Sequence, residues 1–275
     1  MPTLYTAERC PYAARVRIVL AEKGIAWTRM RASGTTGHGS MPHPDNAALK
    51  LAEAVTRLAA APRPARVTPV VEAFLAALGL DDVADTISAG DEAAAFAALE
   101  DRVKDPVLRR SLSAMLRDTV TTTMIQVGKK MNVIPGSGEA QIDVRTLPGT
   151  DQKALLAELQ ATVGELALLE PVIMLPAIEA PANAPIVDLM RSALMAADPE
   201  AIAAPMMITP GTDAKALATL GIPTYGFAPL QLAPEMPFLS LFHGHDERVP
   251  VSALRFGLPV LHEVVSRFVS AGAPA

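Results

Sequence analysis

Four of the five histidines of this 275-residue chain lie in two short loops. His38 and His43 belong to GTTGHGSMPHPDN, and His243 and His245 belong to LFHGHDERVP. Imidazole is the commonest neutral metal ligand in proteins, and zinc needs three or four nitrogen, oxygen or sulfur donors. The clustering therefore indicates a metal site. His243 is the stronger ligand candidate, because an apolar pair precedes it and places it at the end of a predicted buried strand.

The loop around His38 allows a second kind of chemistry. Gly37 and Gly39 flank the histidine, so the backbone can carry the ring to a protruding position, where it could donate a hydrogen bond to a developing oxyanion. His43-Pro44-Asp45 has the His-x-Asp spacing of many dinuclear sites. Pro44 fixes the backbone there, and Asp45 is better used as a helix cap, so we expect no metal-binding pair.

Gly211 and Arg145 are suited to binding an anion, and Asn132 lies near the second of them in the predicted fold. Gly211 precedes a predicted helix in TPGTDAKAL, where free N–H groups favour a carboxylate or phosphate, although an ordinary turn capped by Asp213 explains the pattern equally well. Asn132 and Arg145 bracket a predicted pair of strands. Arg145 lies on the polar side of an alternating strand and could bind a carboxylate with two hydrogen bonds, but a solvated surface arginine is the more common case.

The spacing of apolar residues predicts the helices and strands that position His38, Asn132 and Arg145. The order is strand, helix, helical insertion, strand, strand, helix, strand, which is typical of a ferredoxin-like α+β domain. A strand and helix at the N-terminus precede this domain, with the helix over AARVRIVLAEKGI ending at Gly24. The main predicted segments are a strand over 27–34, a helix capped by Asp45 or Asn46, helices over 60–118, strands over 119–127 and 139–145, a helix after Asp151 and a strand over PVIMLPAI.

The segment APANAP, residues 180–185, is the best linker candidate. Beyond it, alternating helices and strands predict an α/β segment that is part of a larger sheet. Its last helix begins at Val251 and contains Pro259. The residues predicted to form its buried stripe are Leu254, Leu261, Val265 and Phe268.

Composition excludes several classes of partner. The net charge is −5 and no basic block occurs, so neither nucleic acid nor an anionic membrane surface is an expected partner. Cys10 is the single cysteine, which excludes an internal disulfide and a thiolate-rich zinc site and favours the cytoplasm. The apolar stretches are too short to cross a bilayer.

Four segments together resemble, in the same order, the family of dinuclear zinc peptidases and amidohydrolases, which includes glutamate carboxypeptidases, aminoacylases, carnosinases and succinyl-diaminopimelate desuccinylases. The resemblance runs from about Trp27 to the end of the chain. It implies a ferredoxin-like lid, or dimerisation, domain over 27–180 with a helical insertion at about 60–118, and the last part of an α/β catalytic domain over 181–275. The segments are SGTTGHGSMPHPDNA, MNVIPGSGEAQIDVRTLPGTD, PGTDAKALATLGIPTYGF and LFHGHDERVPV.

The resemblance also implies roles. His38 corresponds to the lid histidine that stabilises the oxyanion in the neighbouring subunit of a homodimer. Asn132, Arg145 and Gly211 correspond to residues that hold the substrate, a small peptide or an N-acyl amino acid. His243 corresponds to a ligand of zinc, the expected cofactor.

Other family features are not recognisable. The chain has no Glu-Glu pair, which in the family supplies the general base, and its one His-x-Asp lies in the lid motif. We therefore expect an incomplete dinuclear site and a hydrolase that is weakly active or inactive alone. A non-catalytic dimerisation module is the alternative. Residues 1–26 resemble the opening strand and helix of a glutathione transferase, so redox chemistry at Cys10 is the least favoured possibility.

Overall fold

The computed structural model describes residues 17–233, 236, 241 and 245–272. Cys10 and His243, and the predictions made for them, lie outside these residues. In chain order the elements are β1 (Arg17–Glu22), β2 (Gly24–Ser33), β3 (Gly37–His38), α1 (Ala47–Ala60), α2 (Pro69–Ala77), α3 (Asp81–Ser88), α4 (Glu92–Arg102), α5 (Pro106–Met115), β4 (Thr119–Val127), β5 (Val133–Ile134), β6 (Ser137–Thr146), α6 (Gln152–Val163), a 3-10 turn (Gly164–Leu166), β7 (Leu168–Leu175), β8 (Ile178–Glu179), α7 (Pro185–Ala197), β9 (Ala204–Ile208), α8 (Ala214–Ala218), β10 (Gly226–Phe227) and α9 (Val251–Ser270).

The chain divides into two compact units. The sheet unit comprises Lys23–Arg66 and Ser113–Ile178, and the mixed unit comprises the described parts of residues 1–22, 67–112 and 179–275. The helical character predicted for residues 60–118 is confirmed by α2, α3, α4 and α5. Of these, α2, α3 and α4 group with the mixed unit.

The sheet unit contains a four-stranded antiparallel sheet in the order β4-β6-β2-β7. Strands β2 and β6 pair over ten consecutive positions, from Gly24 opposite Thr146 to Ser33 opposite Ser137. Alternate residues of β6 are buried, as the sequence pattern predicts. With α1 and α6 these strands form one apolar core, which confirms the ferredoxin-like prediction; its members include Ala26, Met30, Leu51, Leu58, Ile142, Val144, Leu155 and Leu159.

The mixed unit corrects the prediction for the first helix. The helix predicted over AARVRIVLAEKGI is wrong from Arg17 onward, because β1 pairs in parallel with β9 and antiparallel with β10, and Gly24 begins β2. A short apolar run fits a buried strand as well as one face of a helix, so its neighbours in the sheet decide the outcome. Gly24 is needed for close packing, because a Cβ there would lie 2.1 Å from the Thr146 hydroxyl oxygen.

The last helix begins at Val251 and continues through Pro259, as predicted, but its buried stripe is different. The four residues predicted to be buried are 37–53% exposed. The buried positions are instead Ala253, Gly257, Val260 and Val264. A side chain has no room at Gly257, because a Cβ there would stand 2.3 Å from the Pro229 carbonyl oxygen. Among the described residues, no helix combines the length and apolarity needed to cross a bilayer.

Lys23 is completely buried at the start of the sheet unit. Its ammonium group donates to the carbonyl oxygens of Ala114 and Arg117, at 2.9 and 2.6 Å, and to the Thr119 hydroxyl at 3.5 Å. Ala114 lies in the last turn of α5, where the helical ladder leaves carbonyl groups without donors, and Arg117 lies between α5 and β4. Lys23 therefore links the segment between α5 and β4 to the start of β2.

The burial of Lys23 predicts a pH-dependent stability. Burial lowers its pKa from 10.5 to about 7, against the opposing charge of Asp118; Asp143 and Arg145 also face it. Between about pH 7 and 10 the unfolded chain holds a proton that the folded chain has released, so stability rises with pH by up to ~1.4 kcal/mol per unit. Urea unfolding at pH 6, 7, 8 and 9 gives the free energy of unfolding of the wild type minus that of Lys23→Met. This difference should increase above pH 7. A difference independent of pH would contradict this assignment.

Candidate functional site

His38 and Asn132 lie together on a short ribbon of the sheet unit. Strand β3 pairs antiparallel with β5, and His38 stands opposite Val133. The Gly39 N–H donates to the Asn132 carbonyl oxygen at 2.8 Å. His38 and Asn132 are both exposed. The structure thus brings together two candidate residues that are 94 positions apart in the sequence.

The His38 ring has two hydrogen bonds to one neighbouring residue. Its Nδ1 lies 2.7 Å from the Ser40 hydroxyl and accepts the Ser40 backbone N–H at 3.2 Å. The Met41 N–H donates to the His38 carbonyl oxygen at 2.9 Å and closes the turn. The ring is therefore held through one nitrogen. Ser40 was not predicted; its position two residues after the histidine is the sequence signal for this contact.

The second histidine of the loop, His43, packs against Gly37. A Cβ on Gly37 would stand 3.0 Å from the His43 Nε2 atom, so the glycine makes room for this ring. Asp45 accepts a hydrogen bond from the Thr35 hydroxyl at 2.6 Å and forms a salt bridge with Lys50. The Lys50 contact, with that of Thr35, lowers the pKa of Asp45.

Asn46 caps α1, and its side chain accepts the Ala48 N–H at 2.9 Å. Of the two residues predicted as the cap, the structure selects Asn46, and the use of Asp45 as a helix cap is wrong. The reason is that the Asp45 carboxylate is already occupied by Thr35 and Lys50.

Arg145 lies on β6, in the same unit but on a different sheet from His38. Its side chain is 21% exposed, and its Nε and Nη2 atoms donate to the two carboxylate oxygens of Asp143 at 2.7 and 2.8 Å. This is the bidentate geometry that arginine offers to any carboxylate. Asp143 occupies the edge of the guanidinium formed by Nε and Nη2, and Nη1 takes no part in these two hydrogen bonds.

Gly211 lies in the mixed unit, beside a buried polar cluster that the sequence did not reveal. The Thr212 N–H donates to Glu22 Oε2 at 3.0 Å, and the Thr212 hydroxyl also bonds Glu22. Lys215 Nζ lies 3.7 Å from the same carboxylate, and the Glu22 and Lys215 residues are each 3% exposed. Thr212 also accepts the Ala214 N–H at 3.1 Å, whereas Asp213 makes no side-chain cap, which corrects the alternative interpretation of this turn.

The described residues do not provide the zinc centre that the resemblance implies. Within residues 17–233, 236, 241 and 245–272, no group of three or more His, Cys, Asp or Glu side chains is arranged to hold a metal. His245 is exposed. The ligand role of His243 stays a prediction, because that residue is not among those described.

The chain matches a known family model. The model described as the peptidase dimerisation domain (M20) aligns with residues 20–169, more than half of the chain. The matched segment contains β2, the His38 loop, β4, β6 and α6. It begins at residue 20, within the segment that resembles the start of a glutathione transferase, and that resemblance is not supported.

Curated relatives are similar over most of this chain. The probable carboxypeptidase S-like 2 of Dictyostelium discoideum is 24% identical over 91% of the chain and 47% of its own length. The human N-fatty-acyl-amino acid synthase/hydrolase PM20D1 is 26% identical, covering 90% of the chain and 50% of its own length. Aminoacylase-1 of Sus scrofa is 23% identical, with coverages of 92% and 53%. The chain therefore spans about half the length of these relatives.

Solved structures show the same fold. The dipeptidase Dug1p of Saccharomyces cerevisiae matches with a TM-score of 0.61 at 11% identity, covering 94% of this chain and 57% of that one. The aminopeptidase PepT of Bacillus cereus matches with a TM-score of 0.56 at 14% identity, with coverages of 94% and 55%.

Proposed function

We propose a function from the premise that the chain belongs to the M20 peptidase dimerisation domain family. The proposed function is that of a metal-dependent hydrolase, which acts on the amide bond of a small peptide or an N-acyl amino acid. The observation that carries the proposal is the family match over residues 20–169, which contains His38, Asn132 and Arg145. The names of the relatives agree, since they include a carboxypeptidase-like protein and an aminoacylase.

Each candidate residue has a proposed role in this reaction. His38 donates to the oxyanion that forms when the amide carbonyl is attacked, and Asn132, beside it on the ribbon, contacts the substrate. Arg145 binds the substrate carboxylate, and Gly211 contributes a backbone N–H. Zinc is the cofactor that the family resemblance implies, with His243 as one ligand. We place the protein in the cytoplasm, consistent with its single cysteine.

We also propose that the chain forms a homodimer through the edge of β4. The sheet has two edges, β4 and β7. Strand β7 contains Pro171, which lacks an N–H, and Glu170, so this edge is protected against pairing. Strand β4 has nine residues without proline or charge, and its Met124 and Ile125 are exposed. The open apolar edge is the one suited to pairing with a second copy.

Ligand binding and hydrolysis test the proposed function. N-acetylalanine and Ala-Ala, titrated into the labelled chain and followed by NMR, should bind at millimolar concentration, and Arg145→Met should weaken binding at least about tenfold because a charged hydrogen bond is lost. With added zinc we expect at most slight hydrolysis by the chain alone, since the described residues contain no three-ligand group.

Arg31→Met is the matched control, because Arg31 is on the same sheet but pairs with Glu139 and Glu170. This variant should bind the probes like the wild type. Equal loss in both variants, or no binding up to the solubility limit of the probes, would refute the substrate-binding role. Strong zinc-dependent hydrolysis that disappears in His243→Ala would show that the chain holds its own metal centre.

A further inference from the structure

The two nitrogens of the His38 imidazole have different surroundings. The side-chain hydrogen bonds of His38 within the described residues all involve Nδ1, and both come from Ser40. The residue is exposed, so a ligand can approach the other nitrogen, Nε2. The two nitrogens are chemically distinct, because in neutral imidazole one carries the proton and the other a lone pair.

The identity of the Ser40 donors determines which nitrogen carries the proton. A backbone N–H can only donate, and that of Ser40 points at Nδ1 at 3.2 Å. Nδ1 must therefore present its lone pair, and the single proton of the neutral ring lies on Nε2. The Ser40 hydroxyl, 2.7 Å away, can turn its hydrogen towards the same lone pair and strengthen this preference.

The backbone around Ser40 holds this arrangement in place. On one side the Gly39 N–H is bonded to the Asn132 carbonyl oxygen, and on the other the Met41 N–H is bonded to the His38 carbonyl oxygen, at 2.8 and 2.9 Å. The turn thus directs the Ser40 N–H towards the ring before any ligand arrives. Preorganised donors are the ones that stabilise developing charge most effectively.

We propose that Ser40 is a positioning residue that holds His38 in the tautomer protonated at Nε2, so that an N–H is presented outward to an anionic oxygen. The opposite tautomer would present a lone pair and would repel the oxyanion. The tautomer assignment stands on the geometry of the loop alone, whereas its use in oxyanion stabilisation rests on the proposed function.

Nitrogen-15 NMR of the labelled chain tests the assignment directly. At alkaline pH, where an ordinary imidazole is neutral, long-range proton–nitrogen correlations distinguish the protonated from the unprotonated ring nitrogen, and His38→Gln identifies the signals. We expect the form protonated at Nε2 to dominate by at least about tenfold. Ser40→Ala, which keeps the N–H and removes the hydroxyl, should lower the ratio of the two tautomers by about threefold to tenfold, the effect of one hydrogen bond.

Two further variants separate positioning from a general structural effect. Ser40→Thr keeps a hydroxyl and should restore the wild-type ratio, and Ser137→Ala, an exposed serine at the start of β6, should leave it unchanged. Dominance of the form protonated at Nδ1, or an unchanged ratio in Ser40→Ala, would overturn the proposal. The measurement needs no catalysis, so failure of the chain to bind the amide probes would refute the proposed function and leave the tautomer assignment intact.

Discussion

Ile125→Lys is expected to weaken the self-association of the chain by at least about a hundredfold. Ile125 is 54% exposed on β4, the edge strand of the sheet that lacks proline and charge. Pairing of two β4 edges would bury this side chain, and a lysine there would lose water around its charge in both copies at once. Sedimentation equilibrium of the wild type and the variant measures the dissociation constant directly.

Val172→Lys provides the matched control on the opposite edge. Val172 is 51% exposed on β7, the strand that contains Pro171. This variant introduces the same charge at a similar exposure, and we expect it to associate like the wild type. If Val172→Lys dissociates the dimer and Ile125→Lys does not, β7 is the pairing edge. A wild type that stays monomeric at high concentration would refute the homodimer itself.

Glu22→Ala is expected to lower the free energy of unfolding by about 3–5 kcal/mol. The Glu22 carboxylate accepts hydrogen bonds from the N–H and hydroxyl of Thr212 and lies 3.7 Å from the Lys215 ammonium. Glu22 and Lys215 are almost completely buried. Removing the carboxylate takes away the acceptor of the two Thr212 hydrogen bonds and the Glu22 contact of the buried Lys215, and breaking a buried ion pair from one side costs more than the original pair contributed. Urea unfolding of wild type and variant at neutral pH gives the difference.

Two controls identify the buried charge as the cause. Glu53→Ala breaks an exposed pair with Arg57 and should cost less than about 1 kcal/mol. The double variant Glu22→Leu, Lys215→Met replaces the buried ion pair with apolar side chains and should recover a large part of the loss. A loss in Glu22→Ala no larger than that in Glu53→Ala would show that the cluster is solvated in solution.

Much of the sheet unit follows from local sequence patterns. The strict alternation over residues 139–145 places one set of side chains in the core, and the structure confirms it. The spacing of Leu51 and Leu58 identifies α1 and its buried face, and Asp151 caps α6 as its position before the helix indicates. These features depend on neighbours within one or two turns or along one strand, so they are readable without knowledge of the rest of the chain.

The candidate site was only partly predictable. Residue type and motif predict His38, Asn132 and Arg145 as candidates, but they predict neither Ser40 nor Glu22. Ser40 acts through a turn of two residues, and its role appears only when the N–H is seen to point at Nδ1. Glu22 acts on a turn 190 positions later in the chain, a pairing for which a single sequence contains no signal.

The sequence alone determined the α+β organisation, the ferredoxin-like order of elements and the family. Each of these can be recognised from short-range periodicity or from compact motifs. The tertiary structure decided that residues 17–22 form a strand, which face of α9 is buried, and that Asn132 lies beside His38. In the first two cases the local pattern fits either of two outcomes, and in the third it contains no information on the pairing. Contacts between distant segments, whether strand pairing or close approach at a small residue, then select the outcome.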